Sequence, residues 1–380
     1  MCFFLHTTTC GKSFGKLGIN LQKLNSTVNI NTFKIAATYM GTIVGAGFAS
    51  GQEVLQYFNV YGATGLWSIL ITTVLFVFFG YTILMIGHKL NAKSHLEVIR
   101  FANGKILGFI VDLIITIFLF GALSAMIAGA GAVFEEQFGW HPLLGNLFMA
   151  VVTLITVVLG ISGVINAISY VVPVLLASIV FVAIYSLTTN PIVANDWVIA
   201  ATLSGAAPNW FLSAVNYASY NLVIAVAILA PMGARTKSSK PLFWGAIWGG
   251  LGLGVGITCI YLSILTDIES ASQMEIPMIQ IAANISRFFQ MIFSVILFAE
   301  IYTTAVGNLY GFVARISQLL NVKRYWLLIA ATVAAFGVSQ FGFSNMVKYL
   351  YPMVGYGGMI LLIGLAIAWL FRKELLSKQN

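Results

Sequence analysis

The chain has 380 residues, of which 59% are hydrophobic and only 8% charged, with 19 Lys and Arg set against 11 Asp and Glu. Soluble domains carry roughly 45–50% apolar and about 25% charged residues, so an ordinary soluble enzyme, a nucleic-acid binder and a disordered chain are excluded. The 36 glycines and a length sufficient for about ten spans of ~20 residues point instead to a helical protein embedded in a lipid bilayer.

Residues 1–32 are polar and rich in Asn, Thr and Lys, and they read as a cytoplasmic tail. The run Met1–Leu5 is shorter than the 7–15 apolar residues of a signal-peptide core. Ten apolar segments follow, near 34–58, 64–88, 105–134, 143–161, 163–188, 208–232, 241–266, 286–315, 323–342 and 345–371. Their lengths suit helices; a membrane barrel would need alternating strands of ~10 residues. The fourth and fifth segments almost touch at Gly160-Ile161-Ser162-Gly163, which predicts a tight turn. The expected organisation is one transmembrane domain over 33–371 between the tail 1–32 and a second tail, 372–380. Cys2, Cys10 and Cys259 show neither metal spacing nor a pairing pattern.

Basic residues concentrate in cytoplasmic loops. With the N-terminus inside, Lys12, Lys16, Lys23 and Lys34 fall on that side. So do Lys89, Lys93, Arg100, Lys105, Arg235, Lys237, Lys240, Arg315, Lys323, Arg324, Arg372, Lys373 and Lys378. Only Arg287 and Lys348 fall elsewhere, while Glu135, Glu136, Asp196, Asp267, Glu269 and Glu275 fall outside. The net charge of +8 is thus a topology signal. It predicts an even number of spans, both termini cytoplasmic and a location in the cell membrane.

A string around the fifth segment recurs around the tenth. Gly163, Asn166, Tyr170 and Pro173 match Gly342, Asn345, Tyr349 and Pro352 at identical spacing, an offset of 179. The offset divides ten segments into halves of five, repeat one over 33–188 and repeat two over 208–371. An odd number of spans per half inverts the second copy, as in the inverted repeats of secondary transporters. Such halves carry a broken first helix. The first segment holds Gly41, Gly45 and Gly47 within seven residues, and each Gly costs about 1 kcal/mol against Ala in a helix. Its counterpart, the sixth segment, has its polar stretch at Asn216-Tyr217-Ala218-Ser219-Tyr220-Asn221. Breaks at both positions are expected, with a binding site between them. The alternative for Gly41 and Gly45 is close helix packing of the small-xxx-small kind.

Gly41-Thr-Ile-Val44-Gly45-Ala46-Gly47 resembles the unwound first helix of LeuT-fold transporters. The longer string GTIVGAGFASGQEVLQYF (41–58) resembles the bacterial YkvI-type membrane proteins of the amino acid–polyamine–organocation superfamily. The resemblance implies alternating access driven by an ion gradient. It also implies a sodium site made by the carbonyls of Gly41 and Val44 with Glu300, Thr303 and Thr304 of the eighth segment, an all-oxygen set suited to a hard cation. Phe48 stands where a further sodium site of that fold has Asn. The Lys that some proton-coupled relatives place in the fifth helix has no counterpart within 163–188.

Three acids lie inside spans, and a charge there costs at least ~2.5–3.5 kcal/mol, which marks each as a functional candidate. Glu300 shares a helix face with Thr303 and Thr304 and is a candidate cation ligand or proton carrier. Glu53, beside Gln52 and Gln56, is expected at an outer gate or vestibule. Asp112 is expected to pair with a basic neighbour on the cytoplasmic side. The N–H groups at Gly45, Ala46 and Gly47 are expected to take an anionic group of a solute. Asn216, Ser219 and Asn221 would receive its polar parts, and Tyr217 and Tyr220 would bound the pocket. No HExxH, GxSxG or Walker motif occurs, so no enzyme and no cofactor are expected beyond Na⁺ or H⁺ as coupling ion. These readings give a cation-coupled transporter of a small organic solute, such as an amino acid. The alternative is a nutrient sensor of the same fold without net transport.

Overall fold

The structure, a computed structural model, describes residues 31–159, 162–320 and 322–371. The first segment is three short helices, α1 (Thr32–Ile43), α2 (Ala46–Ala49) and α3 (Gln52–Tyr57), followed by a 3₁₀ turn over Asn59–Thr64. Asn31 caps α1 by accepting from the Lys34 N–H at 2.9 Å. Then come α4 (Gly65–Leu90), α5 (His95–Phe138), α6 (Pro142–Leu159) and α7 (Ser162–Thr189). A short loop helix, α8 (Ala194–Thr202), leads to α9 (Trp210–Arg235) and α10 (Ser239–Leu265). The loop helices α11 (Ile268–Ala271) and α12 (Pro277–Ile285) precede α13 (Arg287–Leu319) and α14 (Arg324–Ser339). The last segment is α15 (Phe343–Asn345), a π turn over Met346–Leu350, and α16 (Tyr351–Phe371). Pro352 has no N–H for the carbonyl of Lys348, and the helix widens just before it.

Among the described residues, eight helices are long and apolar enough to cross a membrane. The interrupted first segment and the shorter α14 make up an arrangement consistent with ten. Gly104 adopts φ +75° inside α5, so His95–Asn103 turns away and the span begins near 105, where the apolar segment does. The predicted turn residues Gly160 and Ile161 lie outside the described residues, as do the tails 1–30 and 372–380. The side chains of Gly163, Asn166 and Tyr170 in the repeated string also lie outside the description.

The helices fall into two groups. In one, α1, α4, α9 and α10 pack together; in the other, α5, α6, α13 and α14 do. The remaining segments bridge them reciprocally. α7 packs on α10 and α13 of the second half, and α16 packs on α4 and α5 of the first. Two five-segment halves facing each other produce this exchange. The α4–α9 contact is close enough that a Cβ on Gly87 would strike the Ala230 carbonyl, and one on Gly233 the Leu84 carbonyl.

The sixth segment is not broken: α9 runs uninterrupted from Trp210 to Arg235. Its polar residues bond outward instead. The Asn216 Nδ2 donates to the Pro352 carbonyl at 2.9 Å, and the Ser219 hydroxyl to the Gly355 carbonyl at 2.7 Å. Such side chains act as interhelical glue, leaving the backbone ladder intact.

Candidate functional site

The first segment breaks at Val44 and Gly45. Val44 still donates its N–H to the Met40 carbonyl at 2.8 Å, but its ψ of 100° and the extended Gly45 (φ −123°, ψ −174°) end the helix. The chain restarts as α2, turns through Gly51 at φ +82°, and continues as α3. Gly51 is also tightly enclosed, since a Cβ there would come within 2.8 Å of Met278. Gly45 is different. Its φ suits any residue, and a Cβ there would meet nothing within 4 Å. Gly41 would meet only Val172, at 3.8 Å. Close packing therefore does not account for these two glycines: Gly45 borders open space, and a Cβ on Gly41 would make only an ordinary contact with Val172.

Burial is lopsided about the break. Residues 46–60 are all buried, while Ala37, Thr38, Gly41, Thr42 and Gly45 keep exposure. Loops seal the buried side. The Met278 N–H donates to the Ser50 carbonyl at 2.9 Å and the Ala206 N–H to the Gln56 carbonyl at 3.0 Å. Two of the acids expected outside fasten the same cover. Glu136 accepts from the Ile276 N–H at 3.0 Å, and Glu275 from the Ser344 N–H at 2.7 Å.

Glu53 does not face a vestibule. It is buried, and its carboxylate fills the space that a side chain on Gly47 would take. The Tyr220 hydroxyl donates to its Oε2. The Tyr217 hydroxyl is buried without a hydrogen-bond partner. Rings crowd this point: Tyr217 and Tyr220 have centroids 5.3 Å apart, Tyr57 lies 5.2 Å from Tyr217, and Tyr351 lies 5.3 Å from Tyr220. The structure thus brings Gly47, Glu53, Tyr217 and Tyr220 together. Asn216 is held from both sides, since the Tyr57 hydroxyl donates to its Oδ1 at 3.2 Å. Asn221 turns back on its own helix, donating to the Tyr217 carbonyl at 3.0 Å.

On α13, the Thr303 hydroxyl donates to the Glu300 carbonyl at 3.1 Å and the Thr304 hydroxyl to Glu300 Oε1 at 3.4 Å. Glu300 is 3% exposed, and its Oε2 has no partner. α2 packs against this helix. Farther along, Asp112 of α5 pairs with Arg315 of α13, with His95 Nε2 3.7 Å from its other oxygen. It pairs with a basic neighbour as expected, but across helices.

Sequence reasoning missed Tyr57 and Tyr351. Tyr57 stands four residues after Glu53, on one helix face, and Tyr351 directly precedes the repeated Pro352. Both signals were present in the chain.

Residues 29–345 match the family described as spore germination protein. The chain belongs to that family. It is 34% identical over 327 residues to YkvI, an uncharacterized membrane protein of Bacillus subtilis (strain 168), covering 85% of this chain and 92% of that one. With the apolar helices, this makes it a multi-span membrane protein. Solved structures share the fold. MhsT in complex with L-phenylalanine aligns with a TM-score of 0.62 at 18% identity, covering 91% of each chain. Inward-facing Mhp1 aligns with a TM-score of 0.60 at 14% identity, covering 90% of this chain and 77% of that one. The fold is therefore of the LeuT type, and the fold neighbours are membrane transporters rather than enzymes.

Proposed function

We propose that the protein is a cation-coupled secondary transporter of a small organic solute, an amino acid or a related compound, working by alternating access in the cell membrane with both termini cytoplasmic. The observation that carries this reading is the first-segment break. It borders open space at Gly45, and, two residues on, Gly47 packs on Glu53, which accepts a hydrogen bond from Tyr220 of α9, the segment's counterpart in the other half. The solute pocket lies between the break at Gly45 and the α9 residues Tyr217 and Tyr220, whereas Asn216, Ser219 and Asn221 hold α9 in place. Sealing of residues 46–60 with exposure left along α1 suits a state closed outside and accessible inside. MhsT binds an amino acid and Mhp1 belongs to a nucleobase-cation-symport family, which supports cation coupling on this fold.

Glu300, Thr303 and Thr304, with the carbonyls of Gly41 and Val44, form the coupling site. The unpartnered Glu300 Oε2 and the two hydroxyls supply the oxygen donors that Na⁺ prefers. The test is flux in proteoliposomes under imposed Na⁺ or H⁺ gradients. The Thr303→Ala/Thr304→Ala double variant should lose at least tenfold in Na⁺-driven uptake while still folding. Unchanged Na⁺ dependence would remove these residues from the coupling site, and an altered pH profile in Glu300→Gln would assign the coupling to H⁺. The family's association with spore germination favours one second reading, a nutrient sensor. Such a protein would bind its solute in the same liposomes without accumulating it.

A further inference from the structure

Resting on the reading of the break as the solute pocket, we infer that Glu53 is the anionic anchor for an ammonium group of the solute, and that the solute class is amines and amino acids rather than simple carboxylates. Glu53 is a carboxyl group in the membrane interior, where such groups persist only with a task or a partner. Among the described residues the ion pairs are those of Asp112 with Arg315 and His95; none reaches Glu53. Its bonded neighbour is the Tyr220 hydroxyl, which satisfies one oxygen. The other oxygen lies over Gly47 in α2, two residues past the open Gly45.

What surrounds it is aromatic. Tyr57, Tyr217, Tyr220 and Tyr351 are all buried, with Phe118 5.4 Å from Tyr351 and 6.0 Å from Tyr220 between centroids. A carboxylate ringed by π faces attracts a desolvated cation twice, through its charge and through the ring quadrupoles. The unpartnered Tyr217 hydroxyl adds an acceptor for an N–H. An incoming carboxylate would meet Glu53 where the bare sequence leaves Gly45–Gly47 free to receive it. The anionic cradle expected from the glycines is thus filled by the chain's own acid, and the site's sign is reversed. Gly47 is glycine because the carboxylate occupies that side; Gly45 is open because the solute enters there.

The test measures binding, by thermal stabilisation of the purified full-length protein, with two matched probe sets. One is ethylamine, L-alanine and propionate; the other is phenethylamine, L-phenylalanine and hydrocinnamate. Within at least one set, the ammonium-bearing probes should stabilise the wild type at concentrations at least tenfold below the carboxylate. Glu53→Gln, which keeps the shape and a hydrogen-bond acceptor for Tyr220, should lose at least tenfold in affinity for them. Carboxylates that bind as well as their amines, undiminished amine binding in a folded Glu53→Gln, or no stabilisation by any ammonium-bearing probe would overturn the assignment. The wild-type comparison decides even where the variant does not fold. Because binding is read and not flux, absence of transport would count against the transporter reading alone.

Discussion

The first segment and α9 are counterparts in the two halves, yet one is broken and the other whole. Both carry residues that disfavour a plain apolar helix. In the first segment these are glycines, which offer no side chain to repair a lost hydrogen bond and cost about 1 kcal/mol each in a helix. In α9 they are Asn and Ser, which keep helical backbone geometry and export their hydrogen bonds to the carbonyls of Pro352 and Gly355. The difference teaches that polarity in a membrane helix does not by itself imply a break. A polar side chain with a partner on the next helix removes the reason to unwind. Only the glycine-rich member leaves open space, at Gly45, and, two residues on, the acid of the following turn, Glu53, takes up position over Gly47.

Overfilling the α9–α16 contact is the strongest way to break this comparison. A Cβ on Gly355 would run into the Asn216 amide, and one on Gly358 would lie 2.7 Å from the Ser219 hydroxyl. Gly355→Leu should therefore push Asn216 off Pro352. Overpacking costs about 1–3 kcal/mol, and a buried amide stripped of partners about 1–3 kcal/mol more. The expected outcome is loss of most monodisperse protein on size exclusion. A well-behaved Gly355→Leu would mean that the glue holding α9 intact lies elsewhere.

Gly45→Leu should do the reverse: spare the fold and abolish function. The extended backbone tolerates any residue, and the added side chain begins in open space. Expression and thermal stability should stay within about 1 kcal/mol of wild type, and membrane insertion should not suffer because hydrophobicity rises. Solute binding should fall at least tenfold. Retained affinity in the folded variant would remove the pocket from the break.

Much of the fold was legible because bilayer thickness and loop charge write themselves directly into a sequence. The span beginning at 105 is an instance: Lys105 and the apolar run after it marked the place where Gly104 turns the backbone. The break at Gly45 was legible because three glycines in seven residues concentrate the helix penalty. The state of α9 was not legible. Whether Asn216 unwinds its helix depends on a carbonyl 136 residues away in sequence, and no local pattern reports that contact. Glu53 was misplaced for a related reason. Position along a span suggests depth, but the left-handed turn at Gly51 swings α3 back so that its first-turn acid faces Gly47. Pairing of Asp112 with a base was legible; that the base would be Arg315, on a helix of the other half, was not.

The smallest effect sharpens the comparison most finely. Ser219 donates to the Gly355 carbonyl at 2.7 Å and is fully buried. Ser219→Ala removes one interhelical hydrogen bond and little else, because that carbonyl retains its own helical partner and the methyl group fits where the Cβ already stands. Interhelical hydrogen bonds in membranes average about 0.6 kcal/mol and reach about 1.7. The variant should therefore lose about 0.5–1 kcal/mol, read as a small shift in the denaturant midpoint, with α9 still continuous. If the polar run were instead the edge of a break waiting for a ligand, the bond to Gly355 would be incidental. Ser219→Ala would then leave stability unchanged and weaken solute binding. The two readouts, stability without affinity or affinity without stability, decide whether this serine belongs to the scaffold of α9 or to its pocket.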